Sequence, residues 1–455
     1  MHFTNLTGGN EIGSNCYLLE MSGVNILLDS GLHPKKDGKQ ALPRFDIPDA
    51  DDLDYIFMSH CHMDHLGALP VAQRIFPSAE VYMTEPSAEL SSIMLHNSCN
   101  IMMKERQRSG ITDYPLFTHR EIDRQEKSWR PLRMNRSWDL QRRGRNEVIQ
   151  VTPLNAGHVL GSASFLFESG HERVLYSGDI NLADQSLMKK ADLSGVGPLD
   201  TLIIEGTRGL TDSSGENYRE GEIQRLAQAL NKILEKGGNV LLPCFALGKQ
   251  QEVIGILQTL MTSGALPDYP VMIGGMGKQI SLVYDLYREH ETRLMDSFSI
   301  FEHFQPEIIP RDRTTWWKTD RPTIFAISAG MLTEMTPAYT AAEYFITQRD
   351  HAIFFVGYVD SETPGGILLK ASKNKQPVIL GEAGGKPQDI LCHVDQFDFT
   401  AHAHRNDIMG LIKTLKPRNT ILVHGDLRSL QWFEQELKAN GLPSTLPENT
   451  KRLEF

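Results

Sequence analysis

Six consecutive residues, His60-Cys61-His62-Met63-Asp64-His65, place three imidazoles and a carboxylate in one short stretch. Neutral imidazole and carboxylate are the ligands that zinc and similar divalent ions take. With 16 histidines in 455 residues, composition alone does not crowd three of them together. In an extended loop, alternating side chains let His60 and His62 converge on one ion, and Asp64 and His65 turn toward a second. Single partners follow downstream. His158 lies in Gly157-His-Val-Leu-Gly-Ser-Ala163, Asp179 in Tyr176-Ser-Gly-Asp-Ile180, and His424 in Leu422-Val-His-Gly-Asp426. Each follows a short apolar or β-branched run and lies beside glycine, the pattern of a ligand at a strand end. The seven side chains suffice for two ions bridged by one carboxylate. Two ions about 3.5–4 Å apart can clamp the attacking and leaving oxygens of a phosphoryl displacement and generate hydroxide near neutral pH.

Patterning indicates which elements must carry these residues. Asp54-Tyr-Ile-Phe-Met-Ser59 is mostly apolar and reads as a buried strand, and Leu66 to Val71 opens a helix. The hexapeptide therefore occupies a strand's C-terminal end, where open α/β sheets place their sites. Residues 1 to about 80 alternate short strands with Gly and Pro turns. Residues 85–130 read as helical, with Leu90, Ile93 and Met94 on one face, and residues 146–206 return to strands. Residues 207–385 alternate apolar strands (239–243, 271–274, 323–327, 352–356) with helices such as Glu222 to Glu235 and Gln250 to Leu260. That alternation argues a parallel sheet. A last helix is expected from about Ser429 to Asn440.

Composition sets limits. An apolar content of 40% and a charged content of 23% are those of a soluble globular protein. A net charge of −11 is not the balance of a general nucleic-acid binder, so any electropositive groove must be local. Residues 102–145 are rich in basic side chains, Arg130 to Arg145 among them, and read either as solvated faces or as a wall for substrate or partner. The five cysteines (Cys16, Cys61, Cys99, Cys244, Cys392) are scattered and lack CxxC spacing, which points to a reducing, cytoplasmic home. No apolar run of 18 or more residues and no signal peptide is seen, so no membrane is expected.

At these motifs the chain resembles the metallo-β-lactamase superfamily and, within it, the β-CASP nucleases, whose motif order runs along the whole sequence. The resemblance implies an α/β fold, a metallo-β-lactamase αββα sandwich with an inserted β-CASP α/β domain. Residues 1–206 and 386–455 would be the two parts of the hydrolase domain, and 207–385 the insert. It also implies two Zn2+, the first held by His60, His62 and His158, the second by Asp64, His65 and His424, with Asp179 bridging. Glu205, in Leu202-Ile-Ile-Glu-Gly-Thr-Arg-Gly209, falls at the first β-CASP motif, and His402, in Asp398-Phe-Thr-Ala-His-Ala-His-Arg405, at the second. His424 falls at the third. His402 would be the general acid, Glu205 its orienting carboxylate, and Asp64 is counted with the catalytic groups. Asp29, in Ile26-Leu-Leu-Asp-Ser-Gly31, is expected to be structural, supporting a ligand or a turn and not itself a ligand.

The function so implied is a zinc-dependent ribonuclease acting on single-stranded RNA in processing or decay, endo or exo, from a cleft between the two domains. Ser328, Gly330, Lys249 and Arg208 would contact phosphates, and a homodimer or protein partner is compatible with this reading. The alternatives are a DNA nuclease of the same fold, a non-catalytic binding or assembly subunit, and a small-molecule hydrolase. His424, the complete ligand set and the long insert argue against each in turn. The chain departs from the family pattern at Gly206 and Arg208, where Ser and Tyr are usual, and at Lys249 in place of Arg. It also has His404 in place of Asp and no Arg in Thr363-Pro-Gly-Gly-Ile-Leu368.

Overall fold

Strand Thr201–Glu205 shows how the sequence builds its layers. Successive side chains of a strand point to opposite faces. Ile203 joins an inner aromatic core, whereas Leu202 and Ile204 join a second cluster on the outer face. Such a strand needs an apolar run, here Leu202-Ile-Ile204, and this one is buried along its whole length. The computed structural model describes residues 1–7, 11–45, 53–141, 147–170, 172–212, 218–295, 297–310, 315–381 and 385–455.

Residues 1–184, 188–214 and 402–455 form one compact unit, and residues 185–187 and 215–401 form another. The first unit holds two sheets. One runs in the order Arg452–Glu454, His2–Asn5, Tyr17–Met21, Val24–Leu28, Tyr55–Phe57, Glu80–Thr84, Arg130–Leu132. The other runs Asn419–Val423, Thr201–Glu205, Glu172–Tyr176, Ala163–Ser169, Val148–Asn155, Trp138–Gln141. Phe3, Tyr17, Phe57, Phe165, Phe167 and Tyr176 fill the space between them. Edge-to-face contacts such as Phe57–Phe167, with centroids 5.3 Å apart, give that packing direction as well as area. Helices Arg405–Leu415 and Leu427–Ala439 cover the second sheet through Ile408, Ile412, Leu430 and Phe433. Helix Glu85–Ser109 lies against strand Glu80–Thr84 of the first sheet. Helix, sheet, sheet and helix thus form the expected sandwich.

The second unit contains a six-stranded sheet in the order Glu307–Ile308, Val271–Ile273, Ile324–Ile327, Val240–Pro243, Ala352–Phe355, His393–Gln396. Every pairing in it is parallel. Helices Pro337–Phe345 and Pro364–Lys373 pack on it through Ala338, Phe345, Leu368 and Leu369. Among the described residues no helix is long and apolar enough to cross a membrane.

Two expectations differ from the structure. The helical stretch of 85–130 is interrupted: its first helix stops at Gly110, which takes the left-handed conformation (φ +69°) that only glycine adopts cheaply. A capping box at Thr118 then starts the short helix His119–Gln125. Residues 386–401, expected with the hydrolase domain, belong to the second unit, because strand His393–Gln396 pairs with Ala352–Phe355.

Candidate metal centre

The donors gather where strands end. Strand Tyr55–Phe57 lies between the parallel strands Val24–Leu28 and Glu80–Thr84 and runs almost directly into His60. His62 starts the one-turn helix Met63–Leu66, which carries Asp64 and His65. In the other sheet, strands Glu172–Tyr176, Thr201–Glu205 and Asn419–Val423 are parallel, so their C-terminal ends align. Asp179 follows the first, Glu205 ends the second, and His424 follows the third. His158 comes from the connection between Val148–Asn155 and Ala163–Ser169. The backbone turns sharply at His424 (φ +48°), and a Cβ on Gly425 would lie 2.7 Å from the Gly206 carbonyl oxygen. Glycine is needed there, and backbone strain of this kind concentrates at functional sites.

In the first donor set, His62 Nδ1 lies 3.1 Å from His60 Nε2 and 3.0 Å from His158 Nε2. Asp179 Oδ2 lies 3.5 Å from His60 Nε2 and 3.7 Å from His158 Nε2. A tetrahedral ion with ligands at ~2.0–2.1 Å keeps its ligand atoms ~3.3 Å apart, so these spacings fit such an ion. The second set comprises Asp64, His65 and His424. His424 Nε2 lies 3.3 Å from Asp64 Oδ2, and His65 Nε2 lies 3.2 Å from Asp179 Oδ1. Asp179 Oδ1 is buried with the ring nitrogens His65 Nε2, at 3.2 Å, and His424 Nδ1, at 3.0 Å, beside it, and a buried carboxylate so placed is stabilised by a cation. The cluster is a metal-binding site.

Beside it stands a histidine–carboxylate pair. His402 Nδ1 lies 2.9 and 3.0 Å from the two Glu205 oxygens. The Ile180 amide also donates to Glu205, at 2.8 Å. Glu205 is 1% exposed and His402 is 23% exposed, so the ring reaches outward while its carboxylate stays shielded. The His402 ring lies 4.7 Å from that of His158 and 5.9 Å from that of His424, centroid to centroid. Burial disfavours the imidazolium of His402, but the charge and hydrogen bond of Glu205 outweigh it and raise the pKa above the ordinary histidine value. Burial likewise opposes ionisation of Asp179 and Asp64. Facing imidazoles, His424 and His65 for Asp179 and His65 and His424 for Asp64, nevertheless hold both well below the usual carboxylate range.

All seven expected ligands, with Glu205 and His402, therefore come together. Arg208 lies on the turn after Glu205, close enough for its charge to disfavour the His402 imidazolium. Lys249, Ser328 and Gly330 lie in the second unit, where three strands of its sheet end. Lys249 opens helix Lys249–Thr262, and its ammonium donates to the Phe399 carbonyl. Gly330 packs against Phe245, and both line a small recess with Lys249 and Tyr358. Arg142, Arg143 and Arg145 of the basic stretch fall outside the described residues. Arg130 and Arg133 form exposed pairs with Glu80 and Glu85.

Motif reading overlooked Asn15 and Ser59, which hold the donors, but not Asp29. Asp29, expected to be structural, is fully buried and accepts from Ser59 N (2.6 Å), His65 Nδ1 (2.7 Å) and Tyr176 OH (2.6 Å). It thereby fixes the ring of His65 with Nε2 toward the site. Asn15 Nδ2 donates to the Asp64 carbonyl at 3.0 Å and also reaches His65 Nε2 at 3.0 Å. Ser59 Oγ contacts His60 Nδ1 at 3.0 Å. The one available signal was position: Asp29 and Ser59 each follow a buried parallel strand.

Two family profiles match the chain. One, described as a metallo-beta-lactamase superfamily domain, covers residues 18–205. The other, a Zn-dependent metallo-hydrolase RNA specificity domain, covers residues 387–447. Cleavage and polyadenylation specificity factor 73 of Drosophila melanogaster is 28% identical over 443 residues, 95% of this chain and 61% of its own length. Integrator complex subunit 11 of Danio rerio is 26% identical over 98% of this chain and 74% of its own length. Transcription termination factor FttA of Methanocaldococcus jannaschii is 28% identical over 92% of this chain and 66% of its own length. The chain thus spans about three fifths of the first of these relatives. A solved structure of a protein of unknown function from Enterococcus faecalis V583 covers 99% of both chains with a TM-score of 0.61 and 13% identity, a likeness of fold.

Proposed function

The chain belongs to the metallo-β-lactamase superfamily and, within it, to the β-CASP branch, and from that premise we propose that it is a zinc-dependent ribonuclease hydrolysing phosphodiester bonds of single-stranded RNA in RNA processing or decay. One observation carries the reading: Asp179 stands between two donor sets, with the Glu205–His402 pair against them. In this reading His60, His62 and His158 would hold one Zn2+, Asp64, His65 and His424 would hold a second, and Asp179 would serve both. Bound there, the two ions supply Lewis acidity toward phosphoryl oxygens and make water acidic enough to ionise near neutral pH.

The remaining tasks belong to the chain. Glu205 orients His402 through Nδ1, so Nε2 carries the proton given to the leaving 3′ oxygen. Residues 215–401 serve as the β-CASP domain. There Lys249, Ser328 and Gly330, with Arg208 of the first unit, contact phosphates. Phe245 and Tyr358, 41% and 61% exposed, offer faces for bases to stack on. The RNA specificity profile over residues 387–447 and the RNA-processing names of the relatives support RNA over DNA. Five free, buried cysteines fit a cytoplasmic setting. The relatives named as subunits support a protein partner.

The test is cleavage of end-labelled single-stranded RNA, single-stranded DNA and duplexes by the zinc-loaded chain. We expect single-stranded RNA to be cut, chelator to stop the reaction and added zinc to restore it. Equal cutting of single-stranded DNA would reduce the reading to an unselective nuclease. Binding without cleavage of any polymer would leave a non-catalytic binding subunit.

A further inference from the structure

The turn after Glu205 carries a hydroxyl that the reading above does not use. Thr207 Oγ1 hydrogen-bonds to Glu205 Oε2. The same oxygen lies 3.0 Å from His424 Nδ1 and 3.2 Å from the His424 carbonyl oxygen. Thr207 thus touches both the carboxylate of the proton-transfer pair and a donor of the second set, though 217 residues separate it from His424.

Counting protons gives each contact a direction. A threonine hydroxyl has one hydrogen and two lone pairs. Glu205, as a carboxylate, has no hydrogen to give, and it already accepts from Ile180 N at 2.8 Å and His402 Nδ1 at 2.9 Å. The Thr207 hydrogen therefore goes to Glu205. The contact with His424 Nδ1 is then a hydrogen bond in which the ring donates. Asp179 Oδ1, 3.0 Å from the same nitrogen, is the competing acceptor, but in the two-ion reading that oxygen belongs to the ions, which leaves Thr207 to hold the hydrogen. A neutral imidazole protonated on Nδ1 carries its lone pair on Nε2. His424 Nε2 is the atom that faces Asp64.

We infer that Thr207 is a positioning residue that selects the ligating tautomer of His424 and ties the Glu205–His402 pair to the second ion. The inference rests on the two-ion reading. Thr207→Val keeps the shape and removes the hydroxyl. It leaves Asp179 Oδ1, 3.0 Å away, as the remaining acceptor for the Nδ1 hydrogen of His424, so that hydrogen then competes with the ions for the shared carboxylate. Groups that orient a ligating histidine typically contribute 10–100-fold in metal affinity.

The experiment is a competitive zinc titration against a chromophoric chelator on the full chain, alongside nitrogen-15 spectra of histidine-labelled protein. Wild type should bind two ions, with His424 protonated on Nδ1. Thr207→Val should bind the first as before and the second ~10–100-fold more weakly. Thr207→Ser, which retains the hydroxyl, should regain the second. Two ions held with unchanged affinity by Thr207→Val, or His424 protonated on Nε2 in wild type, would overturn the inference and leave the two-ion reading standing. Fewer than two ions in wild type would overturn both. Should Thr207→Val fail to fold, the wild-type spectrum and Thr207→Ser still decide.

Discussion

Both units end parallel strands in a row of loops, yet they do opposite things with that edge. In the first unit, strands ending at Phe57, Tyr176, Glu205 and Val423 deliver buried imidazoles and carboxylates. In the second, strands ending at Pro243, Ile327 and Phe355 deliver Phe245, Gly330 and Tyr358, with Lys249 nearby. Every candidate ion-holding group among the described residues lies in the first unit. The C-terminal edge of a parallel sheet supplies the place for a site, and the side chains delivered there decide its task. We take the first edge to do chemistry and the second to hold substrate.

The largest expected effect belongs to the residue shared by both donor sets. Asp179→Asn should bring metal content below one ion per chain, by elemental analysis, and lower cleavage to the chelator-treated background. Retention of two ions would break the assignment of Asp179 as the bridge. Next, His402→Ala should cut the cleavage rate by about 10²–10⁴-fold with metal content unchanged. Metal loss in that variant would make His402 a ligand and enlarge the donor side of the comparison. Glu205→Gln should slow cleavage by about 10–100-fold, as removal of an orienting partner does. Its effect should vanish in a His402→Ala background if the two act as a pair. The smallest effect tests the second edge. Lys249→Ala should weaken RNA binding and flatten its salt dependence by ~0.7 in the log–log slope, one phosphate contact on a single strand. Zinc content and the single-turnover rate at saturating RNA should not change. A fall in that rate would mean that the second edge takes part in chemistry.

The clustered donors were legible because their signal is local. Three imidazoles in six residues, or one His beside Gly after an apolar run, can be recognised without knowing the fold. The parallel sheet of the second unit was legible for a similar reason, since four apolar runs alternate there with helical stretches. Asn15 and Thr207 were not. Each works through a neighbour that is remote in sequence and close in space, and nothing in spacing or residue type marks such a pair. The compact units divide at 401 and not at 385, because strand His393–Gln396, of mixed exposure, joins the second unit's sheet as an edge strand beside Ala352–Phe355. Edge strands carry a weak hydrophobic signal.

The strand order of the second sheet also governs timing. Strand Thr201–Glu205 pairs on one side with Glu172–Tyr176, made shortly before it, and on the other with Asn419–Val423. The ribosome must first complete the whole intervening unit. At 5–20 residues per second, roughly 10–45 s pass between the emergence of Glu205 and that of His424. Throughout that interval the growing chain carries six of its seven donors, all in sequence before strand Thr201–Glu205, but not the histidine that completes the second set. A ribosome-tethered chain therefore lacks part of the second donor set until strand Asn419–Val423 and His424 have been made.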